Sequence, residues 1–305
     1  MRLVFAGTPA VALPSMDALA GEHEIVTVIT REDAPTGRKR ILTPSPVNAR
    51  AVELGLPVIA ANRLDASVTE QIAALQPDLG VIVAYGGLVR EPLLSTPRLG
   101  WINLHFSLLP RWRGAAPVQW SIRAGDPLVG ATVFQLVAEL DAGPIFGSVA
   151  RPVGLAETSG ELLESLAHSG AELMTGIVSR LAAGEISANE QVGEVTLAPK
   201  ITLENARIDF AEPAAVLDRM IRSVTPEPGA FTTVAGQRLK VLSSRPAPEM
   251  AALPARAFAA AEGRIYAGTS THPVELLTVQ PAGKKPMAAA DWWRGLAQTE
   301  GLVAE

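Results

Sequence analysis

Short apolar runs alternate with helix-like patterns along the first 150 residues. Strands are predicted at residues 3–6, 25–29, 57–60, 79–84 and 101–105, and helices at residues 9–19, 47–54, 67–75 and 118–124. Gly55 and Gly125 follow two of these helices, and glycine commonly ends a helix. Alternation of this kind favours a parallel sheet with helices on both faces.

Two further strands and a long helix follow. Residues 132–139 and 145–151 have strand patterns and flank Leu140-Asp141-Ala142-Gly143-Pro144, which predicts a tight turn. An amphipathic helix is predicted over residues 158–183, because Thr158 is a good N-cap and Gly184 follows the last apolar position.

The pattern changes after about residue 205. One helix is predicted at residues 213–223, followed by short strands at 231–234, 238–243, 264–267 and 274–279 with turn residues between them. Several short strands of this kind indicate a small barrel or sandwich. We therefore predict a first domain over residues 1–204, with a linker at about 190–204, and a second over residues 205–305.

Composition fits a globular protein of two domains. The chain has 305 residues, 48% hydrophobic and 19% charged. It contains no cysteine, which excludes disulfides, thiolate metal sites and a cysteine nucleophile. The first apolar run is too short for a signal peptide, and no run reaches the roughly 18 apolar residues of a membrane span. A cytoplasmic location is expected.

The net charge of −5 does not indicate a nucleic-acid binder. Its distribution is uneven. Residues 1–204 carry 15 Lys and Arg against 21 Asp and Glu, a net of −6, whereas residues 205–305 carry 11 against 10, a net of +1. One loop contains the consecutive cations Arg38, Lys39 and Arg40 between Gly37 and Pro44. Such a loop is either a solvated connection or a clamp for phosphates.

Several common enzyme classes lack their motifs here. Gly7-Thr8-Pro9 after the first strand is not the three-glycine fingerprint of dinucleotide folds. The four histidines are scattered without a metal-ligand spacing. No nucleophile elbow of a serine hydrolase is present.

Asn103 and His105 are the leading candidates for chemistry. They lie two positions apart on a predicted strand, so both side chains point to one face near its carboxyl end, where open parallel sheets bind ligands. An amide and an imidazolium together can donate hydrogen bonds to an oxyanion. A histidine buried in the core is the alternative. Asp141 is either a turn former or a carboxylate that raises the pKa of His105.

The combination of Asn103-x-His105, Ser107-Leu108-Leu109-Pro110 and Asp141 resembles the family that transfers formyl groups from 10-formyltetrahydrofolate. The resemblance extends over essentially the whole chain. Its other carriers are Phe5-Ala6-Gly7-Thr8-Pro9, Arg38 with Pro44-Ser45-Pro46-Val47, the run from Leu109 to Pro117, Ala206-Arg207-Ile208-Asp209, and the run from Leu277 to Lys285.

This resemblance implies a Rossmann-like N-terminal catalytic domain of the α/β class and a smaller C-terminal β-barrel domain resembling an OB fold. It implies that Asn103, His105 and Asp141 are catalytic. The implied folate-binding residues are Val83, Tyr85, Gly86, Leu88, Ser107, Leu108, Leu109 and Pro110. The implied tRNA-binding residues are Arg38, Lys39, Arg40, Lys284 and Lys285.

The resemblance also implies the reaction. A formyl group would pass from 10-formyltetrahydrofolate, a co-substrate, to the α-amine of initiator methionyl-tRNA, with no metal, and we expect a monomer. Phe106 stands where the family often has glycine, and the basic loop is compact. Two alternatives remain at this point: a folate-dependent formyltransferase acting on a sugar-nucleotide amine, and a non-catalytic RNA-binding relative.

Overall fold

A computed structural model describes residues 1–37 and 40–305. The chain divides into two compact units. The first comprises Met1–Pro117, Leu128–Arg151 and Leu163–Ala198, and the second comprises Val118–Pro127, Pro152–Leu162 and Pro199–Glu305. The division of the sequence at residues 204 and 205 stays a prediction.

The helices and strands are named here in chain order. They are β1 (Arg2–Gly7), α1 (Leu13–Glu22), β2 (Glu24–Thr30), β3 (Ala34–Thr36), β4 (Ile41–Thr43), α2 (Pro46–Glu53), β5 (Val58–Ala60), α3 (Ala66–Ala74), β6 (Leu79–Val83), β7 (Trp101–His105), β8 (Arg113–Gly114), α4 (Pro117–Ala124), β9 (Leu128–Gln135), β10 (Ile145–Pro152), α5 (Ser159–Ala183), β11 (Leu197–Ala198), α6 (Ala214–Ser223), β12 (Ala230–Val234), β13 (Gln237–Pro246), β14 (Phe258–Ala261), β15 (Arg264–Ala267), β16 (Val274–Pro281), β17 (Met287–Ala288) and α7 (Ala289–Arg294). None of these helices is both long and apolar enough to cross a bilayer.

A seven-stranded sheet organises the first unit, in the order β10-β9-β7-β6-β1-β2-β5. The five strands from β7 to β5 run parallel, and β9 is antiparallel to β7. Their buried apolar runs explain why these segments read as continuous hydrophobic stretches, since both faces of such a sheet are covered. The predicted Rossmann-like sheet is confirmed.

The connection between β9 and β10 differs from the prediction. The strand pattern was expected to continue to residue 139, but β9 ends at Gln135 and β10 begins at Ile145. The predicted tight turn at residues 140–144 is therefore wrong, because residues 136–144 form a longer irregular connection that starts beside Trp101 and brings Asp141 to His105 at the carboxyl end of β7. Periodicity did not reveal the end of β9, because Leu136, Val137 and Leu140 keep the connection apolar.

The second unit is built on antiparallel strands in the order β12-β13-β16-β15-β14, with β17 beside β16. Residues 302–305 join the two outer strands: Ala304 bridges Val234 at the end of β12, and Val303 bridges Ala257 before β14. This closes the sheet on itself around a buried apolar core that includes Phe258. The predicted small β domain is confirmed, and the sequence patterns missed β14, β17 and α7.

Candidate active site

β7 carries Asn103 and His105 at the carboxyl end of the parallel sheet. Asn103 lies opposite Ile82 of β6, and His105 lies opposite Thr132 of β9. Residues two apart on a strand project from the same face, so the amide and the imidazole share one side of the sheet. The folate candidates at residues 83–88 start at the last residue of β6, the neighbouring parallel strand, and so lie at the same sheet edge.

The Asn103 side chain is half-buried and available for binding. Within residues 1–37 and 40–305, no hydrogen bond joins its amide to another group of the protein. A side-chain amide has two N–H donors and one carbonyl acceptor. Asn103 can therefore donate to a ligand without losing a bond inside the protein.

His105 is only 6% exposed, and each of its ring nitrogens faces a group of the protein. Its Nε2 lies 2.8 Å from the carbonyl oxygen of Trp112, and its Nδ1 lies 3.7 Å from Oδ2 of Asp141. A carbonyl oxygen only accepts, so Nε2 carries the hydrogen. In the neutral ring, Nδ1 then presents a lone pair beside the Asp141 carboxylate.

Burial lowers the pKa of His105 below its ordinary value, because a charged ring loses its water. The Asp141 carboxylate and the Trp112 carbonyl oppose this shift, since both stabilise the imidazolium. Asp141 therefore acts on the pKa of His105 in the predicted direction, but it does not set the net direction. Desolvation of a nearly enclosed ring is the larger effect.

The two residues that face the ring nitrogens of His105 have an unusual backbone conformation. Trp112 has a φ of 63° and Asp141 a φ of 46°, a left-handed region that residues with a Cβ seldom adopt. Such conformations persist where the surroundings fix them. Two residues after Asp141, a Cβ on Gly143 would lie 1.8 Å from the carbonyl oxygen of Gln135, so the chain accepts only glycine there.

Two groups that the sequence patterns did not indicate orient Asp141. The Gly114 N–H donates to Oδ2 of Asp141 over 2.7 Å. The Nε2 of Gln191 donates to the carbonyl oxygens of Asp141 and Gly143 over 2.8 and 2.9 Å. Gln191 lies in the segment that was predicted to be a linker, and no local pattern marks it, because its partners are distant in sequence.

The candidate folate loop after β7 is tied to β9 through Thr132. The fully buried Thr132 hydroxyl donates to the carbonyl oxygen of Ser107 over 2.7 Å and accepts from the Leu109 N–H over 3.3 Å. The Ser107 hydroxyl donates to the carbonyl oxygen of Arg111 over 2.6 Å. Leu108 is half-buried and Pro110 is buried. Hydrogen bonds to the backbone groups of this loop thus fix its conformation.

The second folate candidate segment starts at the last residue of β6. Val83 and Tyr85 are buried, and the Tyr85 hydroxyl donates to the carbonyl oxygen of Ala61 over 2.7 Å. Gly86 has a φ of 77°, and its carbonyl oxygen accepts from Arg31 over 2.6 Å. Leu88 is 65% exposed. The side chain of Tyr85 serves the fold, which leaves the backbone of this segment and Leu88 for a ligand.

The cations predicted to meet tRNA are exposed where the structure describes them. Arg40 follows the turn at Gly37, whose carbonyl oxygen accepts from the Arg40 N–H over 3.2 Å. Lys284 and Lys285 are exposed in the turn between β16 and β17. Arg38 and Lys39 lie outside the described residues. Among the residues with described coordinates, no cluster of three or more His, Asp or Glu side chains is placed to bind a metal ion.

Comparison with known proteins gives concordant matches along the chain. Residues 1–178 match the formyl transferase family and residues 200–297 match the formyl transferase C-terminal domain. A methionyl-tRNA formyltransferase of Leifsonia xyli subsp. xyli is 59% identical over 97% of both chains, and that of Clavibacter sepedonicus is 56% identical over 100% of both. Among solved structures, an N-formyltransferase from Helicobacter canadensis in complex with folinic acid and dTDP-3-aminofucose superposes with a TM-score of 0.70 at 17% identity, covering 92% of this chain and 99% of that one.

Proposed function

This chain belongs to the formyl transferase family, and we propose that it transfers the formyl group of 10-formyltetrahydrofolate to the α-amine of methionine on initiator tRNA. The carrying observation is that Asn103, His105 and Asp141 meet at one sheet edge in a chain similar throughout its length to methionyl-tRNA formyltransferases. The folate acts as formyl donor and leaves as tetrahydrofolate. The monomeric state and the cytoplasmic location stay predictions.

We assign the acceptor from the curated relatives. The likeness to proteins named for methionyl-tRNA exceeds half of all positions and covers both parts of the chain. The likeness to the structure that holds an amino-sugar nucleotide is 17% and indicates the fold alone. The exposed Arg40, Lys284 and Lys285 suit contacts with a phosphate backbone, which needs cations.

The geometry supports a direct transfer. The amine nitrogen attacks the formyl carbon on N10 of the folate, a new N–C bond forms, and the carbonyl electron pair moves to oxygen. The free Asn103 amide donates to this oxyanion. Donors already in place for a developing negative charge lower the barrier, because they need no reorganisation during the reaction.

His105 and Asp141 handle the proton in this proposal. Nδ1 of the neutral ring and Oδ2 of Asp141 are two acceptors 3.7 Å apart, which suits the two N–H bonds of an attacking amine. Nδ1 takes the proton that the amine loses, and Asp141 and the Trp112 carbonyl then stabilise the imidazolium. The proton passes to N10 as the C–N10 bond breaks, so the ring returns to its neutral form.

The test supplies 10-formyltetrahydrofolate with three acceptors in parallel: methionyl-initiator tRNA, methionyl-elongator tRNA and a dTDP-amino sugar. We expect formylation of the initiator tRNA and release of tetrahydrofolate in equal amount. Formylation of the sugar alone would overturn the proposed acceptor. Binding of tRNA without any formyl transfer would instead show a non-catalytic RNA-binding relative.

A further inference from the structure

Residues 189–198, here called the brace, contact two parts of the candidate site, the turn at Asp141 and the stretch from Trp112 to Gly114. At its start, Asn189 pairs with Ile145 through two backbone hydrogen bonds of 2.7 and 2.8 Å. At its end, β11 pairs with β8, which follows the candidate folate loop. The brace lies between the stretches that match the two family models, residues 1–178 and 200–297. A segment outside both models thus forms part of the site.

The brace holds both groups that flank His105. The Trp112 N–H donates to the Thr196 hydroxyl over 2.9 Å, and the carbonyl oxygen of Trp112 accepts from His105. On the other side, Gln191 donates to the carbonyl oxygens of Asp141 and Gly143. Each ring nitrogen of His105 therefore faces a residue that is itself hydrogen-bonded to the brace.

Gln191 makes the more demanding of these contacts. Its Nε2 satisfies two carbonyl oxygens, and its Oε1 accepts from Nε and Nη2 of Arg113 over 3.2 and 2.7 Å. The two N–H bonds and the two lone pairs of this amide all have partners, so the side chain is fixed in one orientation. The fixed amide joins the Arg113 guanidinium to the turn at Asp141, where the φ of 46° is held against its ordinary preference.

We propose that Gln191 is a positioning residue, which holds the Asp141 carboxylate beside His105 and makes the brace a functional part of the site. Without its two donated hydrogen bonds, the irregular connection between β9 and β10 relaxes, and Oδ2 moves away from Nδ1. A catalytic group displaced by about 1 Å can reduce a rate by about 10²-fold. The expected loss of rate rests on the proposed function, whereas the positioning of Asp141 by Gln191 does not.

Two variants separate the contacts of Gln191. Gln191→Met has a similar length and no charge, and it loses every hydrogen bond. Gln191→Glu keeps an oxygen for Arg113 but has no N–H for the carbonyl oxygens. The matched control is Gln71→Met on α3, an exposed glutamine whose hydrogen bonds, among the residues that the structure describes, go to Ser67 of its own helix. The exposed Glu190 and Glu194 of the brace are the same in all variants.

The first readout is the titration of the His105 ring by NMR, assigned by its absence in His105→Gln. Of the described charged groups, Asp141 contacts the ring and Arg113 is tied to Asp141 through Gln191. In Gln191→Met the carboxylate no longer stabilises the imidazolium, so the pKa of His105 falls below that of the parent. The Gln71→Met control leaves it unchanged.

The second readout is steady-state formyl transfer. We expect kcat to fall about tenfold to a hundredfold in both Gln191 variants, with both KM values within about twofold of the parent. A parental kcat and an unchanged His105 titration in Gln191→Met overturn the inference. So does a parental kcat in Gln191→Glu, which would make the Arg113 contact the one that matters.

These outcomes separate the inference from the proposed function. If the parent transfers formyl groups to none of the three acceptors, the proposed function fails, and the His105 titration alone decides the role of Gln191. If Gln191→Met melts well below the Gln71→Met control, the kcat of Gln191→Glu is the kinetic result that tests the inference. A drop in kcat without any change in thermal unfolding supports positioning.

Discussion

Asn103 and His105 share one face of β7 but are held in opposite ways. The imidazole is enclosed and bonded, whereas the amide makes no hydrogen bond with any group that the structure describes. A side chain that the fold does not use can be changed without loss of stability. A substitution at Asn103 should therefore affect the binding of a ligand and leave the stability of the fold unchanged.

We expect Asn103→Asp to lower kcat by about 10²–10³-fold, the usual loss when one donor to an oxyanion is removed. A carboxylate has the same shape but donates nothing when ionised. The free energy of unfolding should stay within about 0.5 kcal/mol of the parent, as for other substitutions that break no contact. Steady-state kinetics and urea denaturation measure the two quantities, and a near-parental kcat would remove Asn103 from the mechanism.

The lowered pKa of His105 predicts a pH dependence of stability. Below about pH 6.5 the unfolded chain binds a proton at this residue that the folded chain does not, since burial lowers the folded pKa. The contribution to stability is therefore complete above pH 6.5 and is lost as the pH falls toward the folded pKa. His105→Gln should weaken the decline of stability with falling pH in that window, measured by urea denaturation at stepped pH.

The same shift predicts the pH profile of the reaction. A neutral His105 is the form that accepts a proton, so the acid limb of kcat/KM should lie below pH 6.5. An acid limb of kcat/KM above pH 6.5 would contradict the lowered pKa of His105 in the free enzyme, and would return His105 to the charged donor that the sequence alone indicated.

At the scale of residues, the sequence identified the side chains and missed their supports. Spacing placed Asn103 and His105 together, because a strand repeats every two residues. No sequence pattern marks Gln191 or Thr132, because the side chain of each bonds backbone groups that are distant in sequence. The net pKa direction of His105 also depends on burial, which no short motif encodes.

The position of β7 depends on close packing with its neighbour β6. Gly80 pairs with Trp101, and a Cβ at Gly80 would lie 2.2 Å from the indole ring. The indole is fully buried and donates to the carbonyl oxygen of Leu93 over 2.9 Å. Because the ring cannot move outward, Gly80 fixes the spacing of the strand that carries the site.

We expect Gly80→Ala to destabilise the protein by about 1–3 kcal/mol, the usual cost of overpacking a core. The control is Gly21→Ala in α1, where the added Cβ has open space and a helix gains up to about 1 kcal/mol from alanine. Urea denaturation of both variants compares them. Equal stability of the two would mean that β6 and β7 adapt to the extra methyl group.

A second element-scale prediction concerns the tie between β9 and the candidate folate loop. Thr132→Val keeps the shape but removes the hydroxyl that bonds Ser107 and Leu109. We expect KM for the folate donor to rise about tenfold, which corresponds to roughly 1.4 kcal/mol. Ser148→Ala is the control, because Ser148 touches the same hydroxyl at 3.3 Å and leaves both loop contacts intact. An equal effect in both variants would contradict the role of the tie.

Regular elements were largely predictable, and their irregular ends were not. Thr158 caps the helix α5, and its N–H and hydroxyl donate to Glu161 over 2.9 and 2.7 Å, a capping pair visible in the sequence. The end of β9 depended instead on contacts with β7 and the brace. Local propensity therefore defined the scaffold, and tertiary contacts defined the site.

At the scale of the molecule, the second unit draws on sequence from within the first family match. Residues 118–127 and 152–162 belong to it, together with residues 199–305. The indole of Trp120 donates to the carbonyl oxygen of Pro199 over 2.7 Å, and Arg222 donates to that of Glu157 over 3.1 Å. Arg222 is buried with Asp218, so this carbonyl satisfies part of a buried charge pair.

A fragment of residues 200–305 should therefore unfold at a lower temperature than the same unit in the whole chain. Losing the Glu157 carbonyl leaves a buried guanidinium with one unmet donor, which costs about 1–3 kcal/mol. Circular dichroism of the fragment, and hydrogen exchange of β12–β16 in the intact protein, give the comparison. Matching stabilities would show that the fragment is a complete domain.

The closing of the second sheet by residues 302–305 has a consequence for how the chain reaches this state. Residues 234 and 304 are bridged although they lie far apart in sequence, and contacts of this kind are made slowly. Until they meet, the edges of β12 and β14 are open, and an open strand edge is a template for another chain. Refolding yield should therefore depend on protein concentration, with aggregation competing until this slow step is complete.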